Sequence, residues 1–426
     1  MPVTTQSTPR PVTSRAIDAD RADERLVFVS DLHLSTSGFG EPTGRPSPAG
    51  ATDAFTALVE RVRSATGPGR PRLVLLGDTL ELLDPRFARV GARIPTAESR
   101  LRAVAEANPG VFDALRDAID SGVRVEVVAG NHDAELAFPS VQRSFTEILL
   151  SRDAMRSIAF HPWIYYVPGV VYAEHGNQYH DLNAFGSPLA PSLIDDPERL
   201  DHPVGAFIDA SLREARVART GRSSREPAER IAAAATVTRG LARYVGSVAA
   251  SRNARARERA TRGVKLDRYA DEIGLSRASV REIDALSRRG AMAIGSRAAV
   301  YVAGRVRRSV GFGARARVGP EVTGYRPEYL YAAAAAIHDI LRRRREEVPL
   351  YVFGHSHVAE RVPLPAAIGN PELLGTGTWT AQGPAAADLP ARTGRFPWVE
   401  IERRDDGVSG RVRVWDTVAG REAVLA

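Results

Sequence analysis

The chain has 426 residues, enough for one large domain or two ordinary ones. Its content of 43% hydrophobic and 26% charged residues is that of a globular protein with material for a full core, which excludes a fibrous or wholly disordered chain. Cysteine is absent, which excludes disulfides, zinc–thiolate sites and cysteine nucleophiles and suits a reducing compartment.

Residues 1–25 are rich in Thr, Ser, Pro and charge and have no apolar segment, so they read as a disordered tail and not as a signal peptide. No apolar run approaches the roughly 18 residues of a membrane-spanning helix. The net charge of +7 is unevenly placed. About 30 Arg or Lys and about 14 Asp or Glu fall in residues 201–345, an excess of about 16, which leaves the rest of the chain about 9 negative. A basic block of this kind favours anionic partners, or it is simply the solvated surface of Arg-rich helices.

In chain order, residues 26–30 read as a first buried strand, followed by a Gly/Pro/Ser loop at 35–50. Phe55, Leu58, Val59 and Val62 give residues 51–65 a helical spacing. A turn at 67–71 leads into a second strand, 73–76. Residues 96–107 and 111–120 read as helices, the latter with the stripe Phe112, Leu115 and Ile119. Residues 123–129 form the strand on which the rest is organised: Val123, Val125, Val127 and Val128 are β-branched, and the run ends in Gly130, Asn131, His132 and Asp133. Residues 141–150 predict a further helix, and 158–174 a hairpin about Pro168–Gly169 that ends in His175.

Strand and helix alternate up to about Asp181, which predicts an α/β sheet. No strand is expected from there to about Glu347. That stretch is dominated by Ala and Arg, with strong helices at 231–250 and 327–345. Strands resume at Leu350, and the C-terminal part predicts a hairpin of 398–401 and 410–415. The expected organisation is a tail (1–25), an α/β core in two parts (26–181 and 348–426), and a helical insertion between them (182–347), which is too long for a loop.

Four apolar strands end abruptly in polar side chains: Asp31 and His33, Gly77 and Asp78, Asn131 and His132, His355 and His357. Strands that deliver such groups to one edge of a sheet predict a site there. With His175 the set is Asp31, His33, Asp78, Asn131, His175, His355 and His357. Carboxylate, imidazole and amide oxygen suit Mn²⁺, Fe or Zn²⁺. Seven ligands exceed the need of one ion and match two that share a carboxylate, an arrangement able to hold a bridging hydroxide and clamp a phosphoryl oxygen. His132 is then left as a candidate general acid, with Asp133 placed to orient it. His161, His180, His202 and His338 stand outside any motif.

The ordered set Asp31-Leu32-His33, Gly77-Asp78-Thr79-Leu80-Glu81, Gly130-Asn131-His132-Asp133, His175-Gly176 and Gly354-His355-Ser356-His357 resembles the calcineurin-like metallophosphoesterase family. The resemblance implies a four-layer αββα sandwich, here with a large helical insertion. It also implies that Asp31, His33 and His357 hold one metal, that Asn131, His175 and His355 hold the second, that Asp78 bridges them, and that His132 protonates the leaving group or stabilises the transition state. Manganese is the first expectation for the two ions.

Within the family, Asp31-Leu32-His33-Leu34 and Gly77-Asp78-x-x-Glu81 resemble UDP-2,3-diacylglucosamine hydrolases. The chain departs from that branch in carrying His132 where it tends to have Arg, and in its longer insertion. The expected function is therefore hydrolysis of a phosphodiester or pyrophosphate in a nucleotide- or lipid-linked substrate. The insertion would act as a lid and, through its arginines, as a peripheral contact with anionic membrane from the cytoplasm. Substrate-binding residues are unassigned. A nuclease is the alternative, prompted by Ala270, Gly274, Leu275 and Val280 at helix–turn–helix positions within residues 269–288, against an ordinary helical hairpin. A non-catalytic binding module would need a lost ligand, and none is missing.

Overall fold

A computed structural model of the chain describes residues 24–40, 47–64, 71–88, 93–149, 157–189, 192–193, 196–217, 227–250, 252–292, 327–364, 369–380 and 394–425. The expected tail lies almost wholly outside them, as do residues 293–326 of the expected insertion.

Strand alternation decides the architecture. In β1 (Glu24–Val29), Leu26 and Phe28 face one side and Val27 and Val29 the other, and all four are buried. A strand buried on both faces belongs to an inner layer. A small hairpin of β2 (Leu34–Ser35) and β3 (Gly38–Phe39) follows. β4 (Arg72–Leu76) and β5 (Arg124–Val128) then pair in parallel beyond β1, Leu26 lying opposite Arg72 and Leu73 opposite Val125. β6 (Ile158–His161) completes this edge.

The chain then changes sheet. β7 (Ile164–Val167) and β8 (Val171–Glu174) form a hairpin in a second sheet. β9 (Ser192–Leu193) and β10 (Asp196–Leu200) pair only with each other. β11 (Leu350–Phe353), β12 (Ala359–Pro363) and β13 (Glu372–Thr376) join β8 and β7 to give the order β12-β13-β11-β8-β7. β14 (Arg395–Arg404), β15 (Gly407–Asp416) and β16 (Arg421–Val424) return to the first sheet, whose order is β16-β15-β14-β1-β4-β5-β6.

The two sheets pack face to face. Leu26, Phe28, Val74, Leu76 and Val128 of the first meet Tyr165, Val171, Ala173, Leu350 and Val352 of the second in one buried cluster. The outer face of the first sheet (Val27, Val29, Leu73, Leu75, Val125, Val127) is covered by the helices Ala51–Arg63, Ala97–Ala107, Pro109–Asp120 and Pro139–Leu149. The outer face of the second (Ile164, Tyr166, Tyr172, Tyr351, Phe353, Leu373) is covered by the helices Arg252–Ile273, Arg277–Met292 and Glu328–Arg342. These are the four layers of an αββα sandwich. Each fully buried aromatic between layers, such as Phe28 or Tyr165, contributes on the order of 1.5–3 kcal/mol.

Three expectations change. Residues 158–174 are not one hairpin. Pro162 breaks the run, the Trp163 indole donates to Glu174 at 2.6 Å, and β6 is left in the first sheet while β7 starts the second. The stretch expected to lack strands holds β9 and β10. Most of all, the helices Arg252–Ile273 and Arg277–Met292 of the expected insertion pack on the second sheet as the fourth layer. Leu266, Tyr269, Ala270 and Ile273 make the stripe that lies on the second sheet, and the Tyr269 hydroxyl accepts the Ile164 N–H at 2.6 Å on edge strand β7.

The helix–turn–helix positions are thereby accounted for. Gly274 turns the chain at φ +76°, Ser276 caps the next helix, and Leu275, Val280 and Ile283 are core. Arg277 and Arg281 pair with Asp271 and Asp267. Just beyond the helix Glu328–Arg342, Arg343 and Arg344 are similarly engaged, both pairing with Glu282 of the neighbouring helix. The helices Val204–Val217 and Pro227–Ala250 pack on each other instead, and Phe207 and Tyr244 join Phe87 of the short turn Pro85–Ala88. Among the described residues no helix is long and apolar enough to cross a membrane.

Candidate metal centre

The site forms where parallel strands of both sheets end. β1 delivers Asp31 and His33, β4 delivers Asp78, β5 delivers Asn131 and His132, β8 delivers His175, and β11 delivers His355 and His357. The loops remain in step beyond the strands: Asp31 N–H donates to the Gly77 carbonyl at 3.1 Å, His33 N–H to Asp78 at 2.9 Å, and Gly354 N–H to His175 at 3.1 Å.

Turning side chains into the cleft so abruptly requires unusual backbone. Asp31, His33, Asp78, His355 and His357 all have φ between +46° and +62°. Asp and His tolerate this region better than most residues, yet each instance costs of order 1–3 kcal/mol and persists where the surroundings enforce it. The preceding glycines leave room for the ligands. A Cβ on Gly130 would lie 2.3 Å from Asp78 Oδ1, and one on Gly77 would lie 2.5 Å from the His175 ring.

Asp31, His33, Asp78 and His175 are each held by one atom and offer another. Ser30 Oγ and the His355 N–H (3.1 Å) donate to Asp31 Oδ2, leaving Oδ1 without a hydrogen bond 3.2 Å from His357 Nε2. Asp78 Oδ1 accepts the His132 N–H at 2.8 Å, while Oδ2 lies 3.7 Å from His33 Nε2 and 3.1 Å from His175 Nε2. His175 Nδ1 donates to the Leu76 carbonyl at 3.0 Å, and His33 Nδ1 sits 3.1 Å from Glu81 Oε2. Those bonds fix the tautomers that free Nε2.

Asp31 Oδ1, His33 Nε2, Asn131 Oδ1 and His175 Nε2 are buried and lack hydrogen-bond partners among the described residues. Four such atoms around one carboxylate are costly as they stand, and a pair of divalent cations would satisfy them all. Donor atoms of Asp31, His33 and His357 lie within 4.8 Å of one another, as do those of Asp78, His175 and His355. The residues present therefore fit two ions with Asp78 between them.

Electrostatics agrees. Burial opposes ionisation of Asp78, but His175 and then His132 outweigh it and hold the carboxyl well below its usual range. Burial also opposes the charge of His175, yet Asp78 and Asp31 raise it to about 9. Below that value the metal-free protein carries a proton where an ion must bind. Metal binding at pH 7 should therefore release about one proton from His175, and affinity should rise up to about tenfold per pH unit until near 9. Calorimetry in buffers of differing ionisation enthalpy measures this; no proton release at pH 7 would contradict it.

The orienting role expected of Asp133 is corrected. Its carboxylate accepts the backbone N–H groups of Gly130 (2.7 Å), Thr79 (2.8 Å), Leu80 (3.1 Å) and Asp78 (3.2 Å), tying the β4 and β5 loops together. Burial and then the charge of Asp78 raise it to about 6. The partner of His132 is Glu81, whose Oε2 lies 2.9 Å from His132 Nδ1. Glu81 is 7% exposed and has the same oxygen on His33. Glu81→Gln should lower turnover about 10–100-fold, the usual worth of such supporting groups, with both metals retained. Unchanged turnover in a steady-state assay would contradict this.

Other histidines divide. His161 pairs with Glu126 at 2.9 Å and His338 with Tyr351 at 3.0 Å, both in the core, while His202 stacks on Phe87. His180 reaches the site. Its Nδ1 lies 3.0 Å from His355 Nε2, with the Asn183 amide beside both and Tyr329 stacked on its ring. The short turn Asn177–Tyr179 brings it back past His175.

No protein-family model and no curated protein matches the chain. Solved structures do. A dimetal phosphatase from Danio rerio is similar at 13% identity and TM-score 0.35, over 92% of this chain and 96% of that one. A phosphopantetheinyl hydrolase from Mycobacterium tuberculosis is similar at 14% identity and TM-score 0.25, over 86% and 94%. A provisional 5′-nucleotidase from Staphylococcus aureus is similar at 10% identity and TM-score 0.31, over 91% of this chain and 53% of that one, so the chain spans about half of its length. At these scores the functional reading rests on the geometry of the chain itself.

Proposed function

We propose that the chain is a dinuclear-metal phosphoesterase that hydrolyses a phosphodiester or pyrophosphate. The observation that carries this is the ring of unpartnered buried donor atoms about Asp78, with a carboxylate-supported histidine at its edge. Asp31, His33 and His357 would hold one ion, Asn131, His175 and His355 the other, and Asp78 would be shared. Bound there, the ions supply Lewis-acid activation of water and of the phosphoryl group.

The protein's own part is positional and protonic. Asp31 and Asp78 are fixed through one oxygen each. Glu81 holds the Nδ1 side of His132, which leaves Nε2 to carry a proton to the departing oxygen. The diester or pyrophosphate class is supported by the resemblance carried by Asp31-Leu32-His33-Leu34 and Gly77-Asp78-x-x-Glu81. The buried packing of residues 269–288 gives a nuclease no comparable support.

The test is turnover by the Mn²⁺-loaded protein on p-nitrophenyl phosphate, bis-p-nitrophenyl phosphate, a nucleoside-diphosphate sugar and DNA. The expected result is hydrolysis of the diester or the pyrophosphate in preference to the monoester. Failure on all four would overturn the reading, and cleavage of DNA alone would replace it with the nuclease.

A further inference from the structure

We propose that Arg213, carried by the helix Val204–Val217, is a positioning residue for the acid His132 and acts on it through Glu81. The proposal rests on the hydrolase reading above and adds a component supplied by the insertion.

Three observations lead to it. Glu81 is buried and spends Oε2 on two imidazoles, those of His33 and His132. A carboxylate shared by two rings is held in one orientation when its other oxygen is engaged as well. Arg213 Nη2 stands 3.5 Å from that oxygen, Oε1, with its side chain 10% exposed. Finally, Arg213 is itself aimed. Its Nε donates to Asp209 Oδ2 at 2.5 Å, one helical turn back, so the helix presents the guanidinium to Glu81 in a fixed direction.

The helix is anchored near the site independently of Arg213. Phe207 and Ala210 pack on Phe87 and Ala88, just beyond Leu82, whose N–H donates to the His132 carbonyl at 3.0 Å. Asp209, Arg213, Glu81 and His132 thus form a relay of polar contacts from the insertion to the acid. No proton needs to move along it. Its consequence is that the acid is correctly held only when this helix is docked. An arginine that merely pinned the helix would share the geometry but not the effect on His132, and this difference is measurable.

The experiment uses the full chain with Arg213→Gln and Arg213→Lys. In the Mn²⁺-loaded protein, turnover is measured on two diesters that differ in leaving-group basicity. For Gln, kcat should fall about 10–100-fold on the poorer leaving group and several-fold less on the better one. KM should stay within about twofold and both metals should remain, and Lys should recover part of the loss. Equal losses on both diesters, a loss confined to KM, or a Lys variant no better than Gln would overturn the proposal. A second readout does not depend on turnover: the imidazole ¹⁵N signals of His132 in the histidine-labelled, Zn²⁺-loaded chain. The parent protein should show one His132 ring environment with Nδ1–H held on Glu81, and Arg213→Gln a mixture of environments. Identical His132 signals would overturn the proposal even if the phosphoesterase reading stood. Changed His132 signals without hydrolysis of any ester would place the failure in that reading instead.

Discussion

Asp78→Ala is expected to abolish hydrolysis and to leave the protein unable to hold two metals. Asp78 Oδ2 faces His33 on one side and His175 on the other, at 3.7 and 3.1 Å, which places it to be the shared ligand. The substitution also removes a negative charge from between two sites that each need one. Elemental analysis should give two metals per chain for the parent and one or fewer for the variant, with turnover at background. Asp78→Asn controls for folding, because an amide oxygen can still accept the His132 N–H now bound at 2.8 Å. One metal per chain in the fully active parent protein, or two in Asp78→Ala, would sink the dinuclear reading.

The ligand strands were legible because they are buried on both faces. Such strands read as unbroken apolar runs, and a run that ends in Asp, Asn or His stands out against it. Two strands at one end of the second sheet were less legible. β12 is only partly buried, and β13 follows Gly369, Asn370 and Pro371, which read as loop. Chain adjacency is not spatial adjacency at this site. Asp133 follows His132 directly, yet its carboxylate turns back to four amides, while Glu81 reaches the ring from another loop. Glu81 had a signal, three residues after Asp78 in a recognisable motif. His180 had a weaker one in its distance from His175. Arg213 had none, being one arginine in a block of about 30. The insertion shows the converse. Leu266, Tyr269, Ala270 and Ile273 have the spacing of a buried helical face, and nothing local says which sheet it covers.

His132→Ala is the second large effect. The ring is not needed for the seven-ligand set, lies 4.7 Å from the His33 ring between centroids, and has its Nδ1 2.9 Å from Glu81 Oε2. Its side chain remains 16% exposed, which gives a substrate oxygen access to it. Removing it should therefore preserve both metals and lower kcat by roughly 10²–10⁴, the range for loss of a general acid. The size should depend on the substrate. A leaving oxygen that is already a weak base needs little protonation, so a nitrophenolate diester should lose least and an alkyl diester most. Glu81→Gln leaves the imidazole in place and misaligns it, so it should show the same ordering with a smaller amplitude. Losses in His132→Ala that are equal across leaving groups would count against proton donation and would assign the ring to charge stabilisation alone.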